Sequence, residues 1–224
     1  MQKFSDLGLA PAIAKALEKA GYDTPTPVQG EAVPAAIAGR DLLVSAQTGS
    51  GKTAAFLLPV LHTLLRQQGE RTQKEAQEWD KLVADAQAKG EPLPKRPRRK
   101  DPTNPRNFKA AVPGALVLCP TRELAQQVAH DAIDLVRHIK GLRIAHVVGG
   151  MPYQMQIARL QNANLVVATP GRLLDLERSG QIKLDQVQFL VVDEADRMLD
   201  LGFADDLAEI HRLTEQRHQT LMFS

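Results

Sequence analysis

From Ala115 to Phe223, short and uniformly apolar runs alternate with segments in which apolar residues recur every three or four positions. The runs at 115–119 (ALVLC), 143–148 (RIAHVV), 165–168 (LVVA), 188–193 (QFLVVD) and 219–223 (QTLMF) predict strands, and 123–138, 153–162, 172–178 and 203–214 predict the helices between them. Strands that are apolar throughout belong to a parallel sheet covered by helices on both faces. Upstream, Leu9, Ile13, Ala16, Leu17 and Ala20 predict a helix over 5–20, stopped by Gly21. A rigid Pro25-Thr26-Pro27 turn leads to a second helix at 29–38. Residues 41–45 (DLLVS) then read as a buried strand entering a glycine-rich loop, and 52–65 as a helix. The expected class is α/β, a parallel β-sheet with helices on both faces. In such sheets ligands bind beyond the carboxyl ends of the strands.

Residues 66–113 interrupt this alternation. Ala76, Trp79, Leu82, Val83 and Ala86 share one helical face, and Glu70/Lys74 and Asp85/Lys89 stand four apart, so the first half predicts a solvated helix whose apolar side Trp79 covers. The second half, EPLPKRPRRKDPTNPRNFK, holds five prolines and seven basic residues and predicts an extended, mobile loop. No internal repeat is visible. The organisation expected is one domain over 1–224, with an N-terminal region at 1–40 and a basic, Pro-rich insertion at 66–113.

Composition narrows the function classes. Hydrophobic residues at 43% and charged residues at 24% suit a folded globular chain, and aromatics at only 4% imply a core of Ala, Val, Leu and Ile. The single cysteine, Cys119, forms no internal disulfide and reads as a small core residue, and the six histidines show no metal-ligand spacing. The longest apolar run, 54–61, is far short of the roughly 18 residues a membrane span requires, and no signal-peptide core is present. A cytoplasmic protein with no membrane partner is expected. The net charge of +2 is unevenly spread: residues 70–109 hold eleven Lys/Arg against seven Asp/Glu, or +4, and the remainder is −2.

Ala46-Gln47-Thr48-Gly49-Ser50-Gly51-Lys52-Thr53 follows a predicted strand and opens a predicted helix, the context of a phosphate-binding loop. Its small residues let backbone N–H groups wrap phosphates, Lys52 reaches the β- and γ-phosphates, and Thr53 offers a hydroxyl to Mg²⁺. Ala46 stands where the general pattern has glycine. Asp193-Glu194-Ala195-Asp196 ends the most apolar strand. A carboxylate there can hold Mg²⁺ through water, and Glu194 can orient or deprotonate an attacking water. The same tetrapeptide standing alone would read as an acidic helix start.

Together these motifs resemble the N-terminal RecA-like domain of DEAD-box ATP-dependent RNA helicases, with details similar to the bacterial RhlE-like subgroup. The likeness includes Gly21-Tyr22-Asp23-Thr24-Pro25-Thr26-Pro27-Val28-Gln29, which is similar to the family's Q motif, with Phe4 as its upstream aromatic. Pro120-Thr121-Arg122-Glu123-Leu124-Ala125, Gly149-Gly150 and Thr169-Pro170-Gly171-Arg172 match its RNA-side motifs. The resemblance implies a RecA-like P-loop NTPase fold, with ATP and Mg²⁺ as cofactors. It makes Lys52, Asp193 and Glu194 catalytic and Thr53 and Asp193 the Mg²⁺ contacts. Phe4, Tyr22, Thr24, Gln29 and residues 46–53 would bind the nucleotide. Gln29 would read N6 and N7 of adenine, a pairing guanine does not offer, and Tyr22 would stack on the base.

Pro120, Thr121, Arg122, Gly149, Gly150, Thr169, Pro170, Gly171 and Arg172 would contact RNA through its sugar-phosphate chain, without sequence specificity. Asp196 and Ser224 would couple to the family's second RecA-like domain, which brings arginine fingers worth about 10³–10⁵ in rate. These 224 residues are expected to be monomeric, to hold nucleotide weakly and to hydrolyse it hardly at all. Two other classes stay open at this point, a nucleotide-switched assembly or scaffold protein and a DNA helicase. For the basic stretch within 70–109, two readings also stand, an auxiliary RNA tether and a solvated insertion without function.

Overall fold

A computed structural model describes residues 1–98, 100–101 and 104–224. Its elements are α1 (Pro11–Lys19), α2 (Pro27–Ile37), β1 (Leu42–Val44), α3 (Lys52–Lys89), β2 (Ala115–Leu118), α4 (Arg122–Val136), β3 (Ile144–Val147), α5 (Tyr153–Leu160), β4 (Leu165–Ala168), α6 (Pro170–Arg178), β5 (Phe189–Asp193), α7 (Ala195–Asp200), α8 (Ala204–Leu213) and β6 (Gln219–Phe223). The strands form one sheet in the order β1-β6-β5-β2-β4-β3, and every neighbouring pair is parallel. This is the arrangement the apolar strand runs predict, except that β1 is not the buried strand expected at 41–45: it sits at the sheet's edge, paired on one side alone, and Leu43 is 81% exposed. The strand order makes β5, which carries Asp193, an interior strand beside β2 and β6.

The two-residue period of the strands divides the core into two layers. Ala115, Val117, Val167, Val191, Leu221 and Phe223 face α1 to α4, where Phe56 of α3 meets Phe223 edge-on at 5.2 Å. Leu116, Leu118, Val166, Leu190 and Val192 face the opposite way, onto Leu173, Leu176, Met198, Leu207 and Ile210. Among the described residues no helix is long and apolar enough to cross a membrane.

Three further elements depart from expectation. The predicted helix 5–20 is broken into a short 3₁₀ turn (Phe4–Leu7) and α1, because Pro11 suits only a helix's first turn and begins a new one. The two helices expected on either side of residue 66 are a single 38-residue helix. Gly69 weakens such a helix by only about 1 kcal/mol, and the Arg66/Glu70 pair, 3.8 Å apart, bridges it one turn on. The chain leaves α3 through Gly90, with the amides of Gly90 and Glu91 closing on the carbonyls of Gln87 and Ala86. Third, α7, six residues long, is too short to leave a periodic trace in the sequence. Beyond α3, the described residues of 91–104 are in neither helix nor strand, as their composition predicts, and a 3₁₀ turn spans Pro105–Asn107. Arg99, Pro102 and Thr103, part of the same Pro-rich stretch, lie outside the described residues.

Candidate nucleotide and nucleic-acid site

The turn between β1 and α3 closes at residues 46–51, where Gln47 accepts the amide of Ser50 at 3.1 Å. Its partner from the neighbouring strand is Ser224, which donates its amide to Val44 and accepts that of Ala46, each at 2.9 Å. The loop is thus anchored at its start by the end of β6. At its far end Gly51 has φ +82°, and a Cβ there would stand 2.4 Å from Gln29 Nε2 and 3.1 Å from Thr26 Oγ1. Only glycine fits that crossing.

Lys52 reaches across to β5. Its Nζ lies 3.2 Å from Asp193 Oδ1 and 3.8 Å from Glu194 Oε1. Asp193 is fully buried, and neither carboxylate oxygen receives a well-aligned hydrogen bond, so the contact with Lys52 is one of charge. Burial raises the Asp193 pKa, and the nearby lysine charge offsets part of that rise. Glu194 takes the left-handed conformation at φ +51°, uncommon for a residue with a side chain and frequent at functional sites. Its carboxylate also meets Arg197 Nη1 at 3.2 Å. One strand over, Cys119 is buried as expected, and desolvation followed by the Asp193 and Glu194 charges pushes its thiol pKa well up.

The donor set fits a hydrated Mg²⁺ held between protein and phosphates. Asp193 keeps two buried carboxylate oxygens that accept no well-aligned hydrogen bond and meet only the Lys52 charge, and no group of three or more His, Cys, Asp or Glu among the described residues forms a cage of its own. The Ser50 hydroxyl in the loop is likewise buried without a partner.

Beside the loop opens a cavity of about 440 Å³, lined by Phe4, Tyr22, Gln29, Gly51 and Thr53 together with Asp131 and Leu135 of α4. Gln29 is buried and already used on both ends: Oε1 accepts the amide of Thr26 at 3.0 Å, and Nε2 donates to the Gly51 carbonyl at 3.0 Å. One lone pair and one N–H remain for a base. Tyr22 is 56% exposed and Phe4 is 4% exposed, so the tyrosine ring is available for stacking while the phenylalanine packs into the core. Thr24 lines an adjoining groove with Lys3, Tyr22 and Asp23 and does not reach this cavity. The α4 side of the cavity, Asp131 and Leu135, left no mark in the sequence because no motif includes it.

The proposed nucleic-acid residues lie beyond the ends of β2, β4 and β3, three consecutive strands of the sheet. Thr121 caps α4, its hydroxyl accepting the Leu124 amide at 3.3 Å. Arg122 bends over the Gly149-Gly150 turn so closely that a Cβ on Gly150 would stand 2.7 Å from its Nη1. Pro120 and Pro170 are buried at the starts of their turns, and the Thr169 side chain, at the start of α6, makes no capping bond. Gly171 lies in the first turn of α6, after Pro170, and the Arg172 guanidinium lies 5.5 Å from the centre of the Tyr153 ring. Tyr153 is held in turn by the Ser179 hydroxyl at 2.6 Å.

Gln156 is a further support that sequence reasoning passed over. Fully buried, it donates its amide to Val148 at 2.8 Å and Met151 at 3.2 Å, straddling the two glycines. A glutamine on an amphipathic helix looks solvated until the loop it clamps is seen. Asp196 is exposed on the first turn of α7, which follows β5 at the same carboxyl-terminal edge of the sheet as Lys52, although α3 and α7 pack on opposite faces.

Residues 26–224 match the family model for the DEAD/DEAH box helicase. The chain is 40% identical over 222 residues to the ATP-dependent RNA helicase DeaD of Escherichia coli K12, covering 99% of this chain and 29% of that protein. It is 41% identical over 226 residues to the ATP-dependent RNA helicase DbpA of the same organism, covering all of this chain and 40% of the relative. Among solved structures, a hypothetical ATP-dependent RNA helicase from Sulfolobus tokodaii superposes with a TM-score of 0.72 at 34% identity, over 95% of this chain and 50% of that one. The chain therefore spans well under half the length of these curated relatives.

Proposed function

Because the chain belongs to the DEAD/DEAH box helicase family, we propose that it is the ATP-binding RecA-like domain of an ATP-dependent RNA helicase, which hydrolyses ATP to separate or remodel RNA duplexes. The observation that carries this reading is the convergence of Lys52 and the buried Asp193 carboxylate, paired by charge at 3.2 Å, beside the cavity that holds Gln29. In this reading Lys52 leaves its carboxylate partners to hold the β- and γ-phosphates, and the loop amides of 47–51 line the phosphates on their other side. Mg²⁺, when bound, neutralises charge developing on the transferred phosphoryl group, and Asp193 and Thr53 are the side chains placed to hold it through water. Glu194, next to Asp193, orients or deprotonates the attacking water. Gln29 reads the adenine edge with the lone pair and N–H it has left, and Tyr22 covers the base.

Arg122, the Gly149-Gly150 turn and Thr169–Arg172 hold the RNA backbone on the same rim of the sheet, with no base readout. A second RecA-like domain, absent from these 224 residues, supplies the arginine fingers, so this domain by itself binds nucleotide weakly and turns it over hardly at all. Asp196 and Ser224 face that partner. The working location is the cytoplasm.

Lys52→Ala and Glu194→Gln in the two-domain protein abolish RNA-stimulated ATP turnover, measured by phosphate release. Turnover retained by either variant removes that residue from the mechanism. Binding of single-stranded RNA in the presence of a non-hydrolysable ATP analogue, in competition with DNA of the same sequence, tests the substrate: preference for DNA, or no nucleic-acid binding, overturns the assignment.

A further inference from the structure

The excess positive charge of the insertion is not on the helix. Residues 70–89 of α3 hold four Lys/Arg against five Asp/Glu, whereas the returning segment 91–109 holds seven against two. In that segment Lys95, Arg96, Arg98, Lys100, Arg106 and Lys109 are all exposed. None of the six forms an ion pair with a described residue, in contrast to Arg137 and Arg212, which each pair with an acid three residues away on their own helix or at its end. Unpaired surface cations concentrated in so short a stretch are an electrostatic footprint for a polyanion.

Arg96 ties the start of this segment to α3. The Arg96 guanidinium lies over the Trp79 ring at 5.4 Å, a cation–π contact that fastens the returning chain to α3. Trp79 stands 27 residues beyond Lys52 on one continuous helix, which at 1.5 Å per residue is about 40 Å from the phosphate loop. The basic cluster is therefore separated from the rim that carries Arg122 and Arg172 by the depth of the sheet and more. Trp79, occupied by Arg96, is not the platform for a base, so recognition here has only phosphates to work with.

We propose that Lys95, Arg96, Arg98 and Lys100, fastened to α3 through Trp79, form a second RNA-binding site that holds backbone phosphates of a segment outside the main groove, so that one RNA engages both. The proposal rests on the RNA reading above. The arginine forks suit phosphate. At the stacked-strand rise of about 3.4 Å per nucleotide, the distance of about 40 Å from the phosphate loop to Trp79 corresponds to about 12 nucleotides. Short RNA should fill only the groove.

The test uses the whole 224-residue chain with a non-hydrolysable ATP analogue and labelled RNAs of about 6 and about 30 nucleotides, bracketing that span, read by fluorescence anisotropy across a salt series. Near 0.15 M salt, where the screening length is about 8 Å, the triple variant Arg96→Glu/Arg98→Glu/Lys100→Glu binds the longer RNA at least about tenfold more weakly. Its log–log salt slope shrinks by about 2, as loss of three single-strand phosphate contacts requires. Binding of the short RNA and of ADP is unchanged, which shows that groove and fold are intact. Unchanged affinity and slope for the longer RNA, with binding still lost in Arg122→Ala/Arg172→Ala, overturns the second site and leaves the RNA reading standing. Equal weakening for both lengths overturns the separation of the sites. Absence of RNA binding by the unaltered chain sinks both readings, and charge-dependent binding of polyglutamate or phosphatidylserine vesicles in place of RNA assigns the cluster to another partner.

Discussion

Gln29 donates its side-chain amide to the Gly51 carbonyl at 3.0 Å, joining the Thr26–Gln29 turn to the phosphate loop through a contact that spans 22 residues of sequence. The same glutamine braces the helix start from inside, since its carbonyl accepts the Thr26 amide. A residue expected to read a base is also a strut between the two halves of the candidate nucleotide site.

Gly51→Ala tests that strut. The new methyl meets Gln29 Nε2 and forces a left-handed conformation on alanine, which alone is disfavoured by about 1–2 kcal/mol. The melting temperature is expected to fall by about 2–8 °C, at about 2–4 °C per kcal/mol for a domain of this size, and ADP affinity to drop at least tenfold in a fluorescence titration. Gly49, also at positive φ but with no atom within 4 Å of its would-be Cβ, serves as the control for backbone strain. If Gly49→Ala and Gly51→Ala lose equal stability and equal affinity, the Gln29 contact contributes nothing. The cost of Gly51→Ala should shrink in a Gln29→Ala background, and strict additivity of the two contradicts the coupling.

Asp193 carries its carboxyl group at a desolvated position, beside the Lys52 charge. Its pKa is raised in the folded chain, so ionising it opposes folding at every pH above its unfolded value, fully so above its folded one. Asp193→Asn removes that charge with little change of shape. Nucleotide-free protein should gain about 2–4 °C in melting temperature, equivalent to about 1 kcal/mol, while losing Mg²⁺-dependent nucleotide binding. A variant that melts lower than the parent would show that the Lys52 ion pair outweighs desolvation.

Histidine burial sets a dependence on pH of the opposite sign. His62 accepts the Ala10 amide at Nδ1, 2.8 Å away, so its ring is neutral in the fold, and burial followed by the Arg66 charge lowers its pKa. His146 and His211 are lowered by burial first and then by Arg159 and Arg217 respectively. Each is depressed below its value of 6.5 in the unfolded chain, so as pH falls below about 6.5 the unfolded chain takes up protons that the fold refuses, and stability drops. Melting temperature between pH 8 and pH 5 should decline in the Asp193→Asn background, where the opposing carboxylate is gone. A flat profile there means that these histidines pay no penalty on protonation.

The sheet class, all six strands to within a residue at each end and the glycine-rich loop between β1 and α3 were legible in the chain. Each depends on local patterning: apolar runs too uniform for an exposed strand, and a glycine-rich turn between a strand and a helix. The resemblance supplied the roles of Gln29, Asp193 and the residues after β2, β3 and β4. Helix ends were less legible. Whether Gly69 breaks α3 depends on a difference of about 1 kcal/mol, which neighbouring pairs and packing decide.

What only the tertiary structure decided are relationships between residues far apart in sequence. Gln29 against Gly51, Gln156 beneath Gly149-Gly150, and Arg122 over Gly150 follow from strand order and loop closure, neither of which a local pattern encodes. The same holds for charge. Sequence located a net +4 between residues 70 and 109, but the length of α3 and the contact between Arg96 and Trp79 place that charge about 40 Å from the phosphate loop. Composition counts cations, and only a folded chain gives them positions from which, across a Debye length of about 8 Å, they act on one partner and not another.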